Sequence, residues 1–196
     1  MHGQNRQVII MKSNLRIGIP SRNLSGNLVS FTKVFFASLL LDRIPQPTFS
    51  DSSTICMART SILKSIRDIE KKSEIRMLWL DSDIMIMNEP DQLAAILKDA
   101  DKKDINILGL YNLTDGRTSA TGIDGKNTIE PTVGDNPTYI PALFGGLGFY
   151  YGRTPLDYMF HEEFGAGEDY NFFIENKIKT YVDTRLRLKH NKNLFI

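Results

Sequence analysis

The chain has 196 residues, of which 41% are hydrophobic and 24% charged, a composition that excludes disordered and fibrous classes and indicates a globular domain. A formal net charge of +1 leaves no excess of Lys and Arg to neutralise a row of phosphates, so we expect no nucleic acid polymer as partner. The single cysteine, Cys56, excludes an internal disulfide and fits a cytoplasmic protein.

The first third of the chain alternates strand and helix patterns. A short apolar run over residues 15–19 predicts a buried strand that opens the sheet. Apolar residues at helical spacing predict a helix over 28–41, closed by Pro45 and Pro47. A second apolar face at the same period predicts another helix that follows Ser53 and ends in a solvated stretch after residue 69.

The middle of the chain carries a nearly continuous apolar run over residues 75–80, which is typical of a central parallel strand. A short helix over 90–97 and a strand over 105–110 follow it. This alternation predicts an α/β domain with a mainly parallel central sheet flanked by helices.

Residues 112–137 are rich in Gly, Thr, Asn and Asp and show little periodicity. A structureless segment of this length is too long to be a passive connector in a compact domain. We therefore expect 112–137 to be a mobile loop that acts as a lid or binding loop.

After this loop we expect extended chain over 139–151, a helix from Pro155 capped by Thr154, a helix over 169–177 and a last strand over 180–190. No Gly/Ser linker divides the sequence, so residues 1–196 are expected to form one domain.

No apolar stretch approaches the ~20 residues that span a bilayer, so we expect no transmembrane span. The opening residues 1–6 lack the basic-then-apolar layout of a signal peptide. The pair Phe35 and Phe36 and the closing residues 194–196 are compatible with peripheral membrane contact, although a core position explains them equally well.

Two carboxylates, Asp81 and Asp83, directly follow the central apolar strand and are separated by one residue. Mn²⁺ and Mg²⁺ prefer oxygen ligands and bind through one or two carboxylates together with substrate phosphates. In open α/β sheets, ligands bind outside the carboxyl ends of strands. These residues therefore predict a Mn²⁺ or Mg²⁺ site, and the alternative is a solvated turn.

The run over residues 77–84 resembles the hydrophobic strand and Asp-X-Asp motif of the GT-A fold glycosyltransferases. Further segments resemble other motifs of that family and follow in the family's order. They are Met57-Ala58-Arg59-Thr60 (an Ala-Arg-Asn signature at a helix start), residues 145–149 (the glycine-rich strand facing the sugar), Glu168-Asp169 (the Glu-Asp helix start), and Tyr181-Val182-Asp183 with His190 (the closing strand and metal-ligand histidine).

The resemblance implies a GT-A fold and transfer of a sugar from a nucleotide diphosphate sugar donor to a glycan, protein or lipid acceptor. We predict inversion of configuration, and a retaining transfer stays the alternative. The resemblance implies that Asp81, Asp83 and His190 bind the metal. It also implies that Asp169 is the catalytic base, with Glu168 as the reserve candidate.

Donor binding is implied for further residues. The family's nucleotide pocket lies after the first strand, which here selects Pro20, Ser21 and Arg22. The remaining donor contacts implied by the resemblance are Arg59, Asp81, Asp83, Gly145 and Gly146.

Each of these residues also has a structural explanation. Arg59 could be a surface arginine of its helix, and Thr60 departs from the Asn of the family signature. His190 shares a strand face with leucines and could be a core histidine. Glu168 and Asp169 could serve only to cap a helix, whose N-terminal dipole favours carboxylates.

Two other function classes stay open. A haloacid-dehalogenase-like phosphohydrolase also places Asp-X-Asp after an apolar strand, but it expects Thr or Val where this chain has Met85 and places its motif on the first strand. A non-catalytic carbohydrate-binding protein on the same fold is the third reading.

Overall fold

The computed structural model describes residues 13–21, 28–52, 54–113, 117–130, 134, 136–161 and 167–191. Four helices lie within these ranges: α1 (Leu28–Leu40), α2 (Ile55–Glu70), α3 (Pro90–Lys103) and α4 (Glu168–Glu175). The strands are β1 (Ser13–Pro20), β2 (Arg43–Ser50), β3 (Glu74–Leu80), β4 (Ile84–Ile86), β5 (Asn106–Leu108), β6 (Ala120–Gly122), β7 (Tyr139–Gly145), β8 (Phe149–Pro155), β9 (Thr180–Asp183) and β10 (Leu188–His190).

Eight strands form one mixed sheet in the order β2-β1-β3-β8-β5-β9-β7-β6. Strand β1 pairs in parallel with β2 and β3, and β5 pairs in parallel with β9. The other neighbouring strands pair antiparallel: β8 pairs with β3 and β5, and β7 pairs with β9 and β6. The protein is thus an α/β protein, but the expected mainly parallel sheet is wrong. Strand–helix alternation stops after β5, and among the described residues no helix lies between β6, β7 and β8.

The sheet separates two hydrophobic cores. Leu78 and Leu80 of β3 face the core that contains α1 and α3, whereas Met77 and Trp79 face the core that contains α2 and α4. Side chains of a strand alternate between its two faces, so a strand covered on both sides has apolar residues at every position. This is why residues 77–80 read as a continuous apolar run.

The helix predicted over 28–41 is confirmed as α1, and the next predicted helix is confirmed as α2. The cap of α2 is Thr54, whose hydroxyl accepts a hydrogen bond from the Met57 N–H, and Ser53 lies outside the described residues. Strand β2 was missed because Pro45 and Pro47 argued against a strand. Prolines are tolerated there because β2 lies at the edge of the sheet.

The helix predicted from Pro155 is wrong, because β8 continues to that residue and pairs with β3 along its length. Thr154, expected as a helix cap, is buried inside the strand. Sterics between a proline ring and the preceding residue favour extended backbone at that residue, which agrees with a strand here.

The strand predicted over 180–190 is two strands in two different sheets. Strand β9 belongs to the large sheet, whereas β10 pairs antiparallel with β4 in a separate two-stranded sheet. In that pairing His190 lies opposite Ile84, which directly follows Asp83. The turn between β9 and β10 therefore returns the chain to the end of β3.

The described part of the expected loop 112–137 includes strand β6 and short bridges that join Asn112 to Thr118 and Thr121 to Thr128. Ala120 and Ile129 are buried in it. The mobility of this loop stays a prediction. Among the described residues, no helix is long and apolar enough to cross a membrane.

Candidate active site

Asp81, Ser82 and Asp83 form a tight turn between β3 and β4. The Asp81 N–H donates to the Gly148 carbonyl at 2.9 Å, and the Ile84 N–H donates to the Asp81 carbonyl at 3.2 Å. The first bond joins the acidic turn to the glycine-rich connection between β7 and β8. Both motifs therefore lie at the same edge of the sheet, beyond the carboxyl end of β3.

Arg59 of α2 lies at the centre of an acidic cluster and is 1% exposed. Its Nη2 donates to both carboxylate oxygens of Asp81, at 3.2 and 3.0 Å. Its Nη1 donates to Glu168 Oε1 at 2.7 Å and to Asp169 Oδ1. Arg59 is therefore no surface arginine, and a donor phosphate would reach its Nη atoms only if these ion pairs opened.

The cluster carries more negative than positive charge. Burial disfavours the charged guanidinium of Arg59, but Asp169, Asp81 and Glu168 outweigh it and raise the Arg59 pKa. Burial raises the pKa of Asp81, Arg59 opposes that shift, and the nearby charge of Asp83 adds to it. A bound cation would reduce the repulsion between these neighbouring carboxylates, so this arrangement favours cation binding.

Asp169 is held in the first turn of α4. Its Oδ1 accepts from Arg59, and its Oδ2 accepts from the Leu147 N–H at 3.1 Å. Burial raises the Asp169 pKa to about 6, against the opposing charge of Arg59 and with the support of Glu168 and Asp81. Such a carboxylate is ionised at neutral pH and remains basic enough to accept a proton.

The glycine-rich connection contacts this cluster at Gly146. A Cβ added there would lie 2.3 Å from the Tyr111 Oη, and a Cβ at Gly148 would lie 2.5 Å from it. Gly145 is different, because a Cβ on it would meet Leu108 and the Ser119 carbonyl, at 2.9 and 3.0 Å. Glycine is thus needed at Gly146 because the Tyr111 hydroxyl approaches its backbone closely. At Gly145 it is needed for packing within the sheet.

Asp83 contacts His190, whose Nε2 lies 2.9 Å from the Asp83 Oδ2. The His190 ring centroid lies 5.9 Å from that of Tyr111, and its Nδ1 is buried without a hydrogen-bond partner among the described residues. The Asn191 N–H donates to the Asp83 carbonyl at 2.8 Å, which ties the end of β10 to the acidic turn.

The donor set fits a divalent cation in part. Asp83 and His190 offer an oxygen and a nitrogen side by side, but Asp81 turns toward Arg59. Within the described ranges, no three His, Cys, Asp or Glu side chains converge as a complete metal site. Mg²⁺ and Mn²⁺ sites commonly take only one or two protein ligands and complete their shell with phosphates and water.

A cavity of about 200 Å³ opens beside the acidic turn, at the carboxyl ends of β1 and β3. Its lining is apolar except for two serines, and consists of Ile19, Ser21, Leu28, Phe31, Phe49, Leu80 and Ser82. Ser21 was expected at such a pocket. Pro20 ends β1 beside it but is not among the lining residues, and Arg22 lies outside the described residues.

Sequence reasoning missed Tyr111, which is buried between the glycine-rich connection and His190. Burial first, and then the charges of Asp81 and Asp169, raise its pKa. Its position just past the carboxyl end of β5 was an available signal, because strand ends at that edge carry ligand-binding residues. The aromatic residues Phe31 and Phe49 of the cavity were missed because each reads as core packing.

No protein-family model matches this sequence, and no curated protein is detectably similar to it.

Proposed function

We propose that this chain is a metal-dependent GT-A fold glycosyltransferase that acts in the cytoplasm. It transfers a sugar from a nucleotide diphosphate sugar to a hydroxyl of a glycan, protein or lipid acceptor. The observation that carries the proposal is the gathering of four carboxylates and His190 beside an apolar cavity at the carboxyl end of β3. Such a site suits an anionic donor bound through a cation.

The donor would lie across the acidic turn. The apolar cavity, with Phe31 and Phe49 in its lining, suits a nucleoside, and Ser82 links the cavity to the acids. Asp83 and His190 would hold the cation, whose positive charge stabilises the leaving diphosphate when bound. Arg59 would act within the protein, by keeping Asp81, Glu168 and Asp169 close together as ionised groups.

Asp169 is the residue proposed to carry the proton transfer. Its carboxylate takes the proton of the acceptor hydroxyl while the acceptor oxygen bonds to the anomeric carbon. The bond from that carbon to the diphosphate oxygen breaks, and the diphosphate leaves with the electron pair, so the configuration inverts. Glu168, which shares Nη1 of Arg59 with Asp169, is the reserve base.

Thermal-shift titration of the full chain with Mn²⁺, a nucleoside diphosphate, or both tests the donor site. We expect the largest rise in Tm with both ligands. The positive charge of Mn²⁺ and the negative charge of the diphosphate attract each other, so each ligand should bind more tightly when the other is present. Asp83→Ala should lose the metal-dependent rise, whereas the exposed control Asp68→Ala should keep it. No rise with any combination would refute the donor site.

A screen of nucleotide sugars for metal-dependent hydrolysis then tests the reaction itself and identifies the donor. Hydrolysis of a simple phosphate monoester, with no release of sugar from any donor, would instead support a phosphohydrolase. Donor binding without release or transfer of sugar would support a non-catalytic carbohydrate-binding protein.

A further inference from the structure

Helix α1 exposes more apolar surface than an ordinary surface helix. Its buried residues are Ser30, Val34, Ala37 and Ser38, two of which are serines. Its outer face exposes large apolar side chains, namely Leu28, Val29, Phe35, Phe36, Leu39 and Leu40, at 39–68% of their surface. A helix that is apolar on its outer face is ordinarily covered by another element.

Ser30 holds α1 in this orientation. The Ser30 hydroxyl donates to the Ile84 carbonyl at 3.0 Å and accepts from the Ile86 N–H at 2.9 Å. The Ser38 hydroxyl donates to the Val34 carbonyl at 2.7 Å, a bond within α1 that satisfies this buried group. Rotating the helix to hide its apolar face would part Ser30 from β4 and leave the Ser30 hydroxyl and the Ile86 N–H without this bond, at a cost of about 1–3 kcal/mol each.

The exposed face carries no charge. Thr32 is its one polar residue, and Lys33, the only charged residue of α1, points aside to Glu89 at 3.5 Å. Leu28 at the start of α1 and Phe49 of β2 border this face, but they line the cavity proposed for the nucleoside and are not counted in it. The remaining exposed side chains form a contiguous apolar surface along α1.

We propose that this surface is the interface of a symmetric homodimer. An aromatic side chain buries roughly 150–250 Å². With about 200 Å² for each side chain, the half-exposed Val29, Phe35, Phe36, Leu39 and Leu40 amount to roughly 500 Å² on this face. Specific interfaces bury ~600–1,000 Å² per partner, so a two-fold pairing of this face supplies most of the lower end of that range before its rim is counted. An uncharged apolar face is complementary to itself, as an isologous interface requires.

Two other occupants fit less well. A helix that binds a membrane surface is rich in Lys and Arg beside its apolar face, whereas the only basic residue of α1 is paired with Glu89. A partner strand added to the edge of β2 would find two residues, Pro45 and Pro47, that lack an N–H donor. A second α1 helix needs neither feature.

Sedimentation velocity of the full chain at micromolar concentration tests the dimer. We expect the mass of two chains for the wild type and of one chain for the Phe36→Glu/Leu39→Glu variant, with unchanged circular dichroism. Ile69→Glu, a similarly exposed apolar residue at the end of α2, should remain dimeric. A monomeric wild type, or a double variant that stays dimeric, would overturn the proposal.

Cross-linking keeps the test independent of the folding of the charged variant. Thr32→Cys lies in the middle of the face and should form a covalent dimer with a short bismaleimide, whereas Lys64→Cys on the exposed side of α2 should not. Equal cross-linking of both variants would contradict an interface at α1. Flotation of the wild type with phospholipid vesicles, together with a monomeric mass in solution, would assign the face to a membrane surface instead.

Discussion

At the scale of single residues, the site depends on Arg59, a buried cation bonded to three carboxylates that come from two distant parts of the chain. The guanidinium and the three carboxylates stabilise one another in their charged forms. Removing Arg59 would leave like charges facing one another with little solvent, which is the costly way to break a buried ion pair.

Arg59→Met should therefore lower the free energy of unfolding by ~3–5 kcal/mol near neutral pH. The loss should shrink in mild acid, because the carboxylates that Arg59 had stabilised then protonate and no longer repel one another. Urea denaturation at both pH values measures this. Arg67→Met, an exposed arginine of the same helix, is the control and should change stability little.

Asp169→Asn should lower sugar transfer by ~10²-fold or more, the usual scale of a lost general base. Donor and metal binding should persist, because the amide keeps the shape of the side chain and Asp83 and His190 are untouched. Initial rates with the donor found by the screen measure the effect. Wild-type turnover of the variant, or a product that retains the donor's configuration, would contradict the role of Asp169.

The pKa of Asp169, raised by burial to about 6, predicts that transfer rises with pH and levels off above that value. The same shift acts on stability with the opposite sign. A carboxylate with a folded pKa above its unfolded value of 3.8 binds more protons when folded, so its contribution to stability falls as pH rises through this interval. The pH–rate profile checks the predicted rise in transfer, and Asp169→Asn should lose the rising limb of that profile.

Gly146→Ala should damage the site through Tyr111, because the added Cβ would lie 2.3 Å from the Tyr111 Oη. Overpacking of a buried group typically costs ~1–3 kcal/mol, and here it also displaces a ring that contacts His190. We expect a lower Tm and weaker metal-dependent stabilisation. Gly134→Ala, whose Cβ would make an ordinary 3.5 Å contact, is the control, and Tyr111→Phe should partly rescue Gly146→Ala.

At the scale of elements, the small sheet of β4 and β10 matters most to the site. Pairing of Leu188 with Ile86 and of His190 with Ile84 fixes how far β10 advances along β4. Leu188 also packs closely on Gly109, where an added Cβ would lie 2.1 Å from its Cδ1. This register places the imidazole beside Asp83 and nowhere else along the acidic turn.

The loop over 112–137 is the second element for which we make a prediction. We expect limited proteolysis to cut it first in the protein without ligand, and more slowly when Mn²⁺ and a nucleoside diphosphate are both present, because closing lids exclude water from the reacting centre. Mass spectrometry of the fragments locates the cuts. Cleavage at equal rates with and without both ligands would argue against a lid.

At the scale of the whole molecule, the sheet separates a core with α1 and α3 from a core with α2 and α4. Helices α2 and α4 supply Arg59, Glu168 and Asp169, so the second core positions the acidic cluster. The first core positions α1, which lines the cavity with Leu28 and Phe31 and exposes the proposed dimer face. One sheet thus supports the proposed donor site and the proposed contact between two copies.

The sequence by itself determined the elements whose signals are local. The period of the apolar residues located α1, α2 and β3, and the position of Asp81 and Asp83 directly after an apolar strand put them at the edge of the sheet. These features depend on neighbours within one or two turns of chain, where backbone geometry dictates the pattern. Strand β2 and the end of β8 escaped because prolines at a sheet edge or a strand end read locally as breaks.

Only the tertiary structure decided which distant groups meet. Nothing near Arg59 in the chain indicates that its guanidinium bonds to Asp81, Glu168 and Asp169 rather than facing solvent, since the ion pairs span up to 110 residues. The antiparallel place of β8, the register that brings His190 to Asp83 and the burial that raises the pKa of Asp169 are likewise set by packing. Long-range contacts depend on how whole faces of helices and sheet fit together, and no local period encodes that fit.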